Sequence, residues 1–125
     1  MIKSVLLAAA VALSSFWFAG SALAQSTLTF RMLSEHPADL EVRFYSNDRA
    51  GFKWPSGDRV YELDDSDDVS LFKLSCLGGE KICYGAWVAD RPKVSWGVGK
   101  DRRNSCKKCC YTCNGGETPV ITLKN

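Results

Sequence analysis

The hydrophobic positions along the chain recur with a period of two. Leu28, Phe30 and Met32 alternate with Thr27, Thr29 and Arg31, and after a polar turn at Ser34–Asp39, Leu40, Val42 and Phe44 alternate with Glu41, Arg43 and Tyr45. Alternation of this kind marks strands with one buried face, and two such runs joined by a short loop predict a β-hairpin. Phe52–Trp54 and Val60–Leu63 predict two further short strands, separated by the breaker Pro55-Ser56-Gly57-Asp58. Phe72, Leu74 and Cys76 fall in phase on one face of a strand over 69–76. Lys81–Ala89 is apolar on both faces, the pattern of a central strand. Asp90-Arg91-Pro92 predicts a turn, Val94, Trp96 and Val98 another alternating run, and Val120–Leu123 a closing strand.

Seven or eight short strands with closely spaced turns predict an all-β fold, a small β-sandwich. The one segment with helical spacing is Cys106, Cys109, Cys110 and Cys113, a C-x-x-C-C-x-x-C run at i, i+3, i+4 and i+7. On a helix these four would share a face, so a short helical turn or loop is expected there, packed on the sheet through its cysteines.

The N-terminus has another character. Lys3 precedes an apolar run from Val5 to Phe18, and Ser21-Ala22-Leu23-Ala24 supplies small residues for a signal peptidase. Residues 1–24 are therefore expected to be a cleaved signal peptide and 25–125 a single domain, periplasmic or secreted, with no membrane anchor after cleavage. All six cysteines, Cys76, Cys83, Cys106, Cys109, Cys110 and Cys113, lie in the mature part. An even count in a small exported domain reads as a disulfide framework. Cys76 and Cys83 are expected to bond two of the cluster's four sulfurs, the others closing locally; many pairings satisfy this.

Composition narrows the chemistry. The 125 residues carry 16 Lys+Arg against 14 Asp+Glu, which excludes a strongly basic nucleic-acid binder, and 46% hydrophobic residues exclude wholesale disorder. His36, the one imidazole, sits in a polar turn and is expected to be solvent-exposed. Asp58, Glu62, Asp64, Asp65, Asp67 and Asp68 form an acidic stretch. Asp64-x-Ser66-x-Asp68 has calcium-loop spacing, but Val69 stands where such a loop needs glycine, so a solvated turn is expected. Lys100, Arg102, Arg103, Lys107 and Lys108 form a basic stretch read as surface. Tyr45, Phe52 and Trp54 lie near loops and are the candidate ligand-binding residues, because exposed aromatic rings stack on sugar faces.

Three segments resemble a group of small exported bacterial Cys-rich β proteins of uncharacterised function. They are Leu28-Thr29-Phe30 with Val42-Arg43-Phe44-Tyr45-Ser46, then Ile82-Cys83-Tyr84-Gly85-Ala86-Trp87, and Trp96-Gly97-Val98-Gly99 followed by the cysteine cluster. A fainter similarity runs to thaumatin-like β-sandwiches, which implies a disulfide-rich fold with sugar-related or defence-related roles.

The function expected is a non-catalytic binding module for a protein or glycan of the envelope or extracellular space, with no cofactor. Two alternatives stand beside it. One is a small cell-wall glycan hydrolase using carboxylates of the Asp58–Asp68 region, whose separation decides such chemistry. The other is a thiolate metal-binding or thiol-redox protein built on the cysteine cluster.

Overall fold

A computed structural model describes residues 24–125; the expected signal peptide lies outside the described residues except for Ala24. The strands are β1 (Gln25–Ser34), β2 (Leu40–Ser46), β3 (Lys53–Trp54), β4 (Tyr61–Leu63), β5 (Ser70–Leu77), β6 (Lys81–Val88), β7 (Arg91–Gly97), β8 (Cys110–Thr112) and β9 (Glu117–Leu123). They form two sheets, and the protein is a small disulfide-stabilised β-sandwich. The smaller sheet has the order β5-β1-β9, with β1 antiparallel to β5 and parallel to β9. The larger has β2 and β6 at its centre. Two short strands flank each of them: β4 and β3 pair with successive parts of β2, and β8 and β7 with successive parts of β6.

The core lies between the sheets. Leu28, Phe30 and Met32 of β1 meet Leu40, Val42 and Phe44 of β2, and Ile82, Ala86 and Val88 of β6 join them. The rings of Phe30 and Phe44 are 4.4 Å apart.

The hairpin expected from the first two runs does not form, because β1 and β2 belong to opposite sheets. Both bury their apolar face in one core, from opposite sides, and alternation alone reads the same either way. The turn between them is built on His36. Its Nδ1 accepts the N–H of Ala38 at 3.1 Å, and its ring stands edge-on to Trp96 at 5.4 Å. His36 is buried, a correction to the exposed loop histidine expected. The expected turn at 90–92 is shorter too, and β7 begins at Arg91.

The cysteine segment is not helical. Cys106 and Cys109 close a tight turn, and Cys110–Thr112 is strand β8 laid against β6. Strand pairing sets Cys110 opposite Cys83, where they bond. Tyr111 turns inward onto the core, and Cys113, also inward, bonds Cys76 at the end of β5. The helical spacing fails because the hydrogen bonds of this segment go to β6 and not along the chain. The Cys76–Cys113 bond ties the smaller sheet to the larger; the Cys83–Cys110 bond pins the 98–110 segment on the larger sheet's outer face. Three disulfides place the chain in an oxidising, extracytoplasmic compartment. No helix among the described residues is long and apolar enough to cross a membrane.

Candidate functional site

The outer face of the larger sheet carries the site. On β2 this face holds Glu41, Arg43 and Tyr45, and on β6 Cys83, Gly85 and Trp87, the positions that alternate with the core residues. The two flanking columns both break in the middle of this sheet. β3 and β4 leave a gap opposite Arg43, and β7 and β8 leave one opposite Tyr84. Through the second gap the chain lifts off the sheet after Gly97 and crosses back over it as a strap, residues 98–104.

Two glycines admit the strap. A Cβ on Gly85 would stand 2.2 Å from the Gly99 carbonyl oxygen. Gly97, at φ +64°, would put one 2.3 Å from the Tyr84 carbonyl oxygen. At the crest, Asp101 and Arg102 are consecutive non-glycine residues in the left-handed region, with φ 54° and 57°. Each costs roughly 1–2 kcal/mol in that conformation, so the surroundings must hold it. They do so with named contacts. The Tyr45 hydroxyl accepts the Asp101 N–H at 3.0 Å and donates to the Gly99 carbonyl at 3.3 Å. Arg102 donates to the Ser46 carbonyl at 3.2 Å and to the Asn47 side-chain oxygen. Burial pushes the Tyr45 phenol above its ordinary pKa, against the smaller opposing effect of the Asp101 N–H, so it stays protonated and available to donate.

Under the crest lies Arg43, whose side chain is only 7% exposed. Its Nε and Nη2 donate to the Arg59 carbonyl at 3.2 and 2.6 Å. Its Nη1 faces the exposed Asp101 carboxylate at 3.7 Å, longer than a hydrogen bond. Next to it the buried Trp87 donates its indole N–H to Glu41 at 2.9 Å.

Two clefts open on either side of Asp101. One, of about 330 Å³, is lined by Glu41, Arg43, Asp58, Trp87, Lys100 and Asp101 among others. The other, of about 240 Å³, includes Tyr45, Phe52, Lys53, Asp101 and Arg102. Phe52 is 41% exposed and is fixed from below. The Arg49 guanidinium stacks 3.6 Å from its ring centre, and Trp54 meets it edge-on at 4.9 Å. Arg49 is itself held by a bidentate pair with Glu80, at 2.6 and 2.8 Å. The Glu80 carboxylate also accepts the Leu77 N–H and the Ser46 hydroxyl. Burial pushes the Glu80 carboxyl up, and these hydrogen bonds outweigh it, leaving the pKa below its ordinary value.

The residues expected to bind divide accordingly. Phe52 presents an open ring. Tyr45 is buried and acts through its hydroxyl. Trp54 is buried with its indole N–H on the Ser75 carbonyl at 2.9 Å, so it bridges the two sheets and is no stacking platform. The acidic stretch separates: Asp58 lines the Arg43 cleft, whereas Glu62 and Asp64 line another cleft of about 530 Å³ with Asp39 and Glu41. Asp65, Asp67 and Asp68 are exposed in a turn, and Lys107 and Lys108 are exposed within the Cys106–Cys109 turn. No described cysteine is free.

Sequence reasoning missed Arg43, Glu41, Lys100, Asp101 and Arg102 as site residues. Arg43 and Glu41 read as the polar half of an alternating strand. The one available signal for the strap was the pair of glycines at 97 and 99 next to a charged run.

No family model, no curated protein and no solved structure matches this chain.

Proposed function

We propose that this protein is an extracytoplasmic, non-catalytic binding module that takes a neutral glycan in the two clefts flanking Asp101. The observation that carries this reading is the left-handed pair Asp101–Arg102, held between both clefts by Tyr45, Ser46 and Asn47. Backbone strain that the surroundings over-determine is concentrated at working sites.

The near balance of charge over the two clefts favours a glycan with no net charge. Glu41, Asp58 and Asp101 bring three carboxylates to the Arg43 cleft, against two cations, Arg43 and Lys100. Lys53 and Arg102 line the other cleft, so the pair of clefts sets three carboxylates against four cations and neither sign is in strong excess. A polyol both donates to the carboxylates and accepts from the cations. Clefts of about 240 and 330 Å³ suit single sugar rings better than a flat protein epitope. Phe52 supplies the apolar face on which a ring packs, and Arg49, anchored on the buried Glu80, keeps that face ordered before binding.

The test is calorimetric titration of the exported, oxidised protein with chito-, cello- and xylo-tetraose, following tryptophan fluorescence in parallel through Trp87. Saturable binding of at least one is expected. Phe52→Ala and Asp101→Asn should each weaken it about tenfold or more, since a stacked ring or a charge-assisted hydrogen bond is worth roughly 1.5 kcal/mol. Asparagine tolerates the left-handed backbone, so the second change tests the carboxylate alone. Absence of any heat or fluorescence change at about 10 mM sugar, the range of weak complexes, overturns the reading. Shortened oligosaccharides in the spent mixture overturn its non-catalytic part.

A further inference from the structure

The smaller sheet has one face in the core and one face that no described element covers. On β1, Thr27, Thr29, Arg31 and Leu33 point away from the core, and the register places their neighbours. Leu71 of β5 and Val120 of β9 flank Arg31; Lys73 and Glu117 flank Thr29; Thr122 lies beside Leu33, with Val69 just ahead of β5 on the other side. Leu71 is 62% exposed, and Val69 and Val120 are 38% exposed. Five large hydrophobics are this open among the described residues, and three of them share this face. Single exposed hydrophobics are ordinary, whereas a shared flat face calls for an explanation.

We propose that this face is the interface of a twofold dimer, its partner being a second copy of the chain. The argument is the arrangement of the rows. A twofold axis parallel to β1 in the plane of contact lays β5 of one copy over β9 of the other, row on row. Leu71 then meets the partner's Val120, and Lys73 meets the partner's Glu117; the axis repeats both pairs. The Leu71–Val120 and Lys73–Glu117 pairs thus each form twice, as an isologous contact requires, and Val69 lies over the partner's Thr122. The midline holds Thr29, Leu33 and Arg31. Of these only Arg31 would oppose its own charge, and it already leans aside, with Nε 4.0 Å from Glu117 of its own chain. With the axis turned across the strands, Lys73 would face an apolar residue and the charge match is lost.

The contact is small. Three strands about 4.8 Å apart and about seven residues long give roughly 350 Å² per copy, some 700 Å² in all, below the ~1,200 Å² of stable complexes. The dimer is therefore weak and concentration-dependent. The smaller sheets meet at its centre, so the outer faces of the two larger sheets point in opposite directions. Where those faces bind glycan as proposed above, the dimer bridges two glycan strands, and weak single-site affinity is multiplied by bivalency.

Sedimentation of the exported, oxidised protein tests the dimer without any glycan. Monomer–dimer exchange is expected near ~100 µM, weakening in high salt. Lys73→Glu alone and Glu117→Lys alone should each lower association about tenfold, and the double reversal should restore it to within about threefold. Both positions are exposed, and an unchanged urea midpoint in all three variants confirms that the fold is kept. A protein that stays monomeric to about 1 mM overturns the proposal. So does a double reversal no better than the single ones. Because no sugar is present, this result is independent of whether the clefts bind glycan.

Discussion

The two sheets of this sandwich began from the same kind of sequence and reached different states. Among the described residues the smaller sheet is covered on one face only, and its strands read as clean alternation. The larger is covered on both: by the core beneath, and above by the 98–110 segment with its two cysteine bonds and the left-handed crest at Asp101–Arg102. That second cover lets the larger sheet bury an arginine, a tyrosine and a tryptophan on its outer face and shape clefts around them. The smaller sheet, without a cover, keeps threonines, a lysine and a flat apolar row. In this fold an added loop layer shapes clefts on one sheet, and without one the other sheet keeps an open apolar row.

The comparison breaks most readily at the bond joining the regions. Replacing Cys76 and Cys113 together by alanine removes a closed loop of 37 residues' separation. The Cys83–Cys110 bond still closes 27 of those positions, so the loop freed is about 10 residues and chain-entropy reasoning puts the loss near 3 kcal/mol. The pair Cys106 and Cys109, only three residues apart, should cost about 2 kcal/mol by the same reasoning. Urea midpoints of the two double variants give the ranking, and a larger loss for the short turn would contradict it.

Of similar size is the effect at the cover itself. Gly85→Ala drives a methyl into the Gly99 carbonyl, where backbone must move. A loss of about 3 kcal/mol is expected, with faster tryptic cleavage at Lys100, Arg102 and Arg103 as the strap lifts. Unchanged proteolysis would mean that the strap is not held down at this point.

The Glu80 network under Phe52 has a pH signature. Its folded pKa lies below the ordinary value, so the stability it contributes is complete above the unfolded pKa of about 4.3 and is lost as pH falls through the folded one. Glu80→Gln should cost about 2 kcal/mol at pH 7 and flatten the loss on acidification below about pH 4.5. Urea titrations at pH 7 and pH 3.5 measure both, and an equal acid sensitivity in the variant would assign the effect to another group.

How much of this was legible in the sequence differs between the sheets. Leu28, Phe30 and Met32 alternate against polar neighbours because one face of β1 is wet, and the strand is plain from that alone. The doubly apolar Lys81–Ala89 announced a central strand, and β6 is one. Partnering was not legible. Nothing in alternation tells a hairpin from two strands facing each other across a core, and the turn that decides it rests on His36 reaching Trp96, a contact sixty residues away. The cysteine run had ideal helical spacing and formed a strand, since pairing with β6 and the bonds to Cys83 and Cys76 are long-range terms. Of the site, Phe52 was visible as an aromatic beside a loop. Arg43 and Glu41 were hidden in the polar half of a strand, because a strand's outward face reads as solvent until the cover above it is known.

The smallest expected effect makes the sharpest test of the difference between the two faces. Thr29 and Tyr45 both point away from the core, one on the bare face and one beneath the strap. Tyr45→Phe removes the hydroxyl that receives the Asp101 N–H and donates to the Gly99 carbonyl, and should cost about 1 kcal/mol as both lose their partner. Thr29→Ala trims a half-buried side chain that makes no side-chain hydrogen bond among the described residues, and should stay within about 0.5 kcal/mol. Urea midpoints measured at about 5 µM, well below the ~100 µM at which dimers are expected, keep association out of the comparison. If Thr29→Ala costs as much as Tyr45→Phe, the bare face is already packed in the monomer and the apolar row on it is a structural requirement. If it costs nothing, monomer stability does not account for Leu71 and Val120, and their place on an open face has to be explained by what that face meets.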